Sequence, residues 1–165
     1  SLQPSLWKKQ VDLIAPKSTK GPFRYCLFDH SPKSYWSNYD GQKCSIETAW
    51  IILGFPNYSL RLKYYTLASK GEKMFFSQPM SWKIYGSDNP ESFDENDLIC
   101  YVKNAPAMNI PRPMRTFEVE KKAKPYSYFK FVMLKNFTNL PHNQGEFSLT
   151  AIEVFGILTS KNKST

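Results

Sequence analysis

Short apolar–polar alternations, cut apart by 12 prolines, constrain this chain more than any other feature. In Ser59-Leu-Arg-Leu-Lys-Tyr-Tyr-Thr-Leu67, Leu60, Leu62 and Tyr64 are expected on one face and Arg61, Lys63 and Tyr65 on the other. A period of two residues is the mark of a half-buried strand, because successive side chains leave a pleated backbone on opposite sides. Trp82-Lys-Ile-Tyr-Gly86 repeats the pattern, with Trp82, Ile84 and Gly86 inward, and Arg115-Thr-Phe-Glu-Val-Glu120 buries Phe117 and Val119. Ala49-Trp-Ile-Ile-Leu53 and Tyr128-Phe-Lys-Phe-Val-Met-Leu134 are nearly continuous apolar runs and read as strands covered on both faces. Leu149-Thr-Ala-Ile-Glu-Val-Phe-Gly156 closes the set, with Gly156 expected to end the last strand. Turn-forming clusters lie between the strands, among them Gly86-Ser-Asp-Asn-Pro90 and Pro141-His-Asn-Gln-Gly145. The one helical candidate is short, Leu6 to Ile14. The sum predicts an all-β chain, an antiparallel β-sandwich with few or no short helices.

A chain of 165 residues, 41% hydrophobic, suits one domain, expected over 1–158, with a polar, frayed tail at 159–165. At this size roughly 70% of the surface of the unfolded chain becomes buried, so the core needs no metal or disulfide staple. No apolar run approaches the ~20 residues of a membrane-spanning helix. The net charge of +8 favours acidic partners, nucleic acid or anionic lipid, although the basic residues are dispersed and few are Arg. The three cysteines, Cys26, Cys44 and Cys100, form no CxxC pair. A Cys26–Cys44 bridge closing a loop is one reading; the simpler one is three reduced thiols in an intracellular setting, cytoplasmic or nuclear, rather than secretion. The sequons at Asn57, Asn136 and Asn162 then carry no glycan.

The order of these segments resembles the F5/8 type C, or discoidin-like, family of galactose-binding-like jelly rolls. The likeness covers about residues 28–158. It rests on Phe28-Asp29 with Tyr35-Trp36-Ser37, on the Ala49–Leu53 strand, on Tyr65-Thr66-Leu67, and on Pro79-Met-Ser-Trp-Lys-Ile-Tyr-Gly-Ser-Asp88. Thr116-Phe117, Tyr128-Phe129-Lys130 and Leu149–Gly156 complete it. The resemblance implies a jelly-roll sandwich whose loops at one end contact the ligand. No cysteine follows Cys100, so the end-to-end disulfide common in secreted members is missing, which again suits an intracellular branch. Gly54 stands where an acidic residue is often found. The calcium-holding loop of some members has no recognisable counterpart, so no metal or cofactor is expected.

Catalysis needs convergent groups, and the sequence offers few. There are two histidines, His30 and His142, and no GxSxG, Walker or GxGxxG motif. The acidic run Glu91-Ser-Phe-Asp-Glu-Asn-Asp97 reads either as paired carboxylates or as a solvated loop, and charge runs usually face water. The chain is therefore expected to be a non-enzymatic binding module, part of a larger multidomain protein, that recognises a protein or glycan. A nucleic-acid-binding module and a peripheral binder of anionic membranes are the alternatives. The resemblance implies that two long loops project from the same end. The first carries His30, Lys33, Tyr35, Trp36, Tyr39 and Lys43, and the second Lys73, Met74, Phe75 and Phe76. Aromatics interleaved with cations suit a sugar face, a peptide hot spot or stacked bases. Trp36 and one of the two phenylalanines have the competing reading of core plugs. Arg112-Pro-Met-Arg115 and Lys121-Lys-Ala-Lys124 flank one strand, and Lys121, Lys122 and Lys124 read either as a solvated hairpin turn or as phosphate contacts.

Overall fold

The computed structural model describes residues 11–16, 27, 35–38, 45–70, 77–120, 123–138 and 145–161. Among these residues ten strands follow one another: β1 (Asp12–Ile14), β2 (Trp36–Ser37), β3 (Trp50–Gly54), β4 (Tyr58–Ala68), β5 (Pro79–Ser87), β6 (Leu98–Val102), β7 (Met114–Glu118), β8 (Tyr128–Asn136), β9 (Ser148–Leu149) and β10 (Ala151–Ser160). The only helical elements among the described residues are three one-turn 3₁₀ segments, at Ile46–Thr48, Glu95–Asp97 and Pro106–Met108. A five-stranded sheet in the order β1-β3-β8-β5-β6 faces a three-stranded sheet in the order β10-β4-β7, and β2 pairs with β9. Every pairing is antiparallel. The chain passes from one sheet to the other at β3→β4, β4→β5, β6→β7 and β7→β8, which is the wrapping of a jelly roll.

Between the sheets lies an aromatic core. Tyr65 of β4 stacks on Phe117 of β7 at 5.4 Å between ring centroids and meets Trp82 and Phe131 of the opposite sheet edge-on. Each such ring takes roughly 150–250 Å² out of water, a gain of a few kcal/mol apiece before entropy is counted. The Trp82 indole N–H donates to the Tyr65 hydroxyl at 3.0 Å, so the buried polar atoms of the two rings satisfy each other.

Several sequence expectations change. Along β4 the alternation reverses: Leu60 and Leu62 are buried, then Tyr64 is exposed while Tyr65 and Leu67 are buried. Opposite them, Gly156 of β10 faces Leu62 and Phe155 faces Tyr64, so Lys63 is an extra residue without a partner on β10. This β-bulge shifts the parity of everything beyond it. It also explains Gly156, which sits mid-strand rather than at a strand end. A Cβ there would lie 1.9 Å from the Arg61 carbonyl oxygen. Gly86 makes room in the same manner for the ring of Tyr126, 2.1 Å from where its Cβ would be. β8 is covered on one face only: Phe129, Phe131 and Met133 are buried, and Tyr128, Lys130, Val132 and Leu134 are partly exposed. Residues 12–14, expected to be helical, pair with β3 instead. β10 runs on to Ser160, and the Lys161 N–H donates to the Asn57 carbonyl, because backbone pairing with β4 does not require apolar side chains. Asn136, in one of the sequons, is buried.

Candidate functional site

Strand register sorts the connections into two ends. Ala68 at the close of β4 lies opposite both Ala151 and Met114, the first residues of β10 and β7. Pro79 at the start of β5 lies opposite Asn136 at the close of β8. Among the described residues, one end therefore gathers 38, 45–49, 69–70, 77–78, 103–113, 137–138 and 145–150, and the other gathers 55–57, 88–97, 119–120 and 123–127.

Small polar residues fasten the first end. Ser148 pairs with Ser37, donates its N–H to the Ser77 carbonyl at 3.1 Å, and shares hydroxyl hydrogen bonds with Ser77 at 2.7 Å and Ser69 at 3.2 Å. The Ser69 hydroxyl also donates to the Ser148 carbonyl. Asn38 spans two further stretches. Its amide nitrogen donates to the carbonyls of Ser45 (3.0 Å) and Gly145 (2.7 Å), and its oxygen accepts from Phe147 N–H (2.8 Å). Asn136 donates to the Glu146 carbonyl, and Gln78 donates to that of Ile110. All of Ser37, Asn38, Ser69, Ser77, Gln78, Asn136 and Ser148 are buried. Buried side chains thus take up backbone groups that would otherwise be left unpaired where the loops leave the sandwich. The chain enters and leaves segments 39–44, 71–76 and 139–144 within this one polar knot.

Of the residues proposed from sequence, Tyr35 stands at this end, 38% exposed, with the Lys70 ammonium 4.6 Å from its ring centroid. Trp36 does not belong to the exposed rim: at 1% exposure it is part of the core, as the competing reading had it. His30, Lys33, Tyr39, Lys43, Lys73, Met74, Phe75, Phe76, Lys121 and Lys122 lie outside the described residues. Lys124 is at the opposite end. It pairs with Asp97 at 3.0 Å, and the Tyr126 hydroxyl donates to the same carboxylate at 2.6 Å. The Tyr126 and Lys124 hydrogen bonds hold the Asp97 carboxyl below its usual range, and burial is the main cause pushing the Tyr126 phenol up to about 12. The acidic run is a set of structural contacts. Asp94 caps the 3₁₀ turn, and Glu95 accepts from Tyr85 and Lys83. Among the described residues no three His, Cys, Asp or Glu side chains gather as metal ligands would.

Sequence reasoning missed one member of this end: the stretch ending at Arg112 was legible only as a flank of a strand. Here an open groove of about 270 Å³ is lined by Ala68, Ser69, Lys70, Arg112, Pro113 and Met114, with Thr150 and Ala151.

No family model matches the sequence, and no curated protein matches it. Solved structures do. A family 89 glycoside hydrolase from Clostridium perfringens, in complex with PUGNAc, superposes with a TM-score of 0.64 at 19% identity over 96% of this chain, which spans 15% of that enzyme. The family 32 carbohydrate-binding module of NanJ from the same organism, in complex with galactose, matches with a TM-score of 0.63 at 10% identity, over 92% of this chain and 96% of the module. A further family 32 module from that organism, in complex with GalNAc-β-1,3-galactose, gives 0.64 at 12% identity, over 90% of this chain and 97% of the module. At these identities the likeness is one of fold, and it agrees with the sheet order and the aromatic core: the chain has the discoidin-like, galactose-binding-like jelly-roll fold.

Proposed function

We propose that this chain is a non-catalytic module that binds a glycan at the end of the sandwich where the polar knot releases its loops. The observation that carries the reading is that Asn38, Ser45, Ser69, Ser77, Asn136 and Gly145, which flank segments 39–44, 71–76 and 139–144 in sequence, are joined in one buried set of hydrogen bonds around Ser148 and Phe147. A rigid scaffold with variable loops at one end is how such folds build recognition sites. In sequence those segments hold Tyr39, Lys43, Lys73, Met74, Phe75, Phe76 and His142, and Tyr35 is exposed at this end. Aromatic faces of this kind stack on the C–H face of a sugar while neighbouring polar groups take its hydroxyls. The structural neighbours in complex with galactose and with GalNAc-β-1,3-galactose support the same reading.

A glycan array that includes galactose- and GalNAc-terminated saccharides tests it, with the Phe75→Ala, Phe76→Ala double variant as control. Capture by the native chain, lost in the double variant while the melting temperature stays nearly unchanged, is the expected result. No retained saccharide at millimolar concentration, or undiminished capture by the double variant, refutes the reading. Steeply salt-dependent binding to single-stranded nucleic acid in place of glycan would transfer the site to the alternative that the charge of +8 suggests.

A further inference from the structure

The outermost strands of a sheet invite further pairing, and three of the four in the two main sheets are blunted against it. β1 is three residues long, β6 is five, and β7 carries Arg115 and Glu118. β10 differs. It runs ten residues, and between Glu153 and Lys161 the sequence Val-Phe-Gly-Ile-Leu-Thr-Ser holds no charge and no proline. Near its start the Ile152 N–H donates to the Leu27 carbonyl at 3.3 Å. Past that point no strand among the described residues lies on its outer side, and residues 155–161 are exposed. Phe155, Ile157 and Leu158 are 46%, 50% and 52% exposed, and Tyr64, opposite Phe155, is 42% exposed. Phe155 and Ile157 lie on the outer face of the sheet. Leu158, opposite the buried Leu60, lies on the core side at an uncovered border. Apolar surface therefore wraps the edge from both faces, as a strand laid alongside would cover it. The backbone is set for such pairing. The Lys161 N–H donates to the Asn57 carbonyl beside β4, so alternation turns the N–H groups of Val154, Gly156, Leu158 and Ser160 away from β4, as that of Ile152 already is.

We infer that β10 pairs antiparallel with β10 of a second copy of this chain, across a two-fold axis at Ile157. Ile157 is the centre of the uncharged stretch. The axis there sets Ile157 against Ile157, Phe155 against Thr159, and Glu153 of each copy against Lys161 of the other. Opposite charges thus meet at both ends of an apolar seam that is complementary to itself, the arrangement a two-fold interface requires. Within one copy Lys161 reaches Asp88 at 3.5 Å and Glu153 has contacts of its own, so these charges fix the register and the apolar seam supplies the affinity. Half-exposed side chains of this size leave roughly 100 Å² each, so two copies with their backbone edges bury on the order of 1,000 Å², the lower bound of a specific interface. The dimer is accordingly a weak one. Its strands run in opposite directions, so the two polar knots, near the start of each β10, point away from each other. The pairing does not depend on the glycan reading.

Sedimentation velocity over a concentration series tests this. The mass should rise from 19.2 kDa toward twice that value. Half-conversion is expected on the order of 10–100 µM, as suits an interface of this size. Ile157→Glu puts a carboxylate opposite Arg61 within the chain but against its like across the axis, so association should weaken about tenfold or more while the melting temperature holds. Ser160→Pro removes an outward N–H and no apolar side chain, and should also weaken association about tenfold. Crosslinking reads the register. In Ile157→Cys the two Cα atoms at the axis lie about 4.5 Å apart, within disulfide range, so oxidised glutathione should link the copies. In Thr159→Cys the two thiols stand about 13 Å apart or more, so linkage should not exceed that of the native chain. A single species of 19.2 kDa at millimolar concentration overturns the inference. So does a dimer unmoved by both Ile157→Glu and Ser160→Pro, or crosslinking that favours Thr159→Cys over Ile157→Cys. None of these outcomes touches the glycan reading, which the array tests separately.

Discussion

Replacing Asn38 tests whether the polar knot is what presents the loops. Its amide makes three hydrogen bonds to backbone groups, two donated to carbonyls and one accepted from an N–H, with 1% of the residue exposed. Only this orientation of the amide serves all three partners. Asn38→Ala removes them and leaves Ser45, Gly145 and Phe147 with unpaired groups. At about 1 kcal/mol for each bond, the loss of stability should be about 3 kcal/mol, and glycan capture should fall with it because two rim segments lose their tie. Asn38→Asp should be worse at neutral pH, since a carboxylate turned toward two carbonyl oxygens has no donor and is buried as a charge. The sign of its pH dependence follows. The folded-state pKa is pushed above the unfolded value near 3.9, so the charge penalty is full above the raised pKa and fades as the pH falls toward about 4. The protonated acid then regains one donor. Urea denaturation of the native chain and both variants between pH 4 and 7 measures this. A cost below about 1 kcal/mol for Asn38→Ala, or aspartate and alanine variants of equal stability at pH 7, refutes the reasoning.

Two further outcomes follow from other contacts. Gly156→Ala should destabilise at the upper end of the ~1–3 kcal/mol usual for overpacking, because the atom it meets is the Arg61 backbone and no flexible side chain can move aside; a change within about 0.5 kcal/mol in thermal melts would mean that the bulge at Lys63 is placed wrongly. Asp97, whose carboxyl is held low by Tyr126 and Lys124, contributes stability that is present above an unfolded pKa near 3.9 and lost as the pH falls through its lower folded value. The stability gap between the native chain and Asp97→Asn should therefore narrow in acid, and Tyr126→Phe should move that narrowing to higher pH. A gap that stays constant from pH 7 to pH 2 would exclude the linkage.

Local pattern made much of the sandwich legible in advance. Trp82, Ile84, Phe117 and Val119 turn inward as period-two alternation requires, and the apolar Ile51–Leu53 run is buried throughout. Hydrophobic periodicity is a property of neighbouring residues, so it can be read without knowing what the strand pairs with. What escaped it was set by partners distant in sequence. The parity of β4 turns over at Lys63 because β10, some ninety residues later, supplies one residue fewer, and nothing within Ser59–Leu67 records that shortfall. β10 extends to Ser160 because β4 offers backbone groups to it, although its own last side chains are polar.

The candidate site divides along the same line. Residue types capable of stacking on a sugar or pairing with an anion are present in the sequence for anyone to count. Their assembly is not: Ser37, Ser69, Ser77 and Ser148 look like ordinary loop residues until register brings them within hydrogen-bonding distance of one another. Trp36 was equally ambiguous between rim and core until its burial was known. Lys124 and the loop end fell to opposite poles of the molecule for the same reason. Composition and alternation dictated an antiparallel sandwich with an aromatic interior, since burying one face of each strand is a local demand. Which loop ends share a pole, and that Ser69 meets Pro113 and Ser148 there, depended on long-range pairing, where the free energy belongs to contacts between segments rather than to any segment alone.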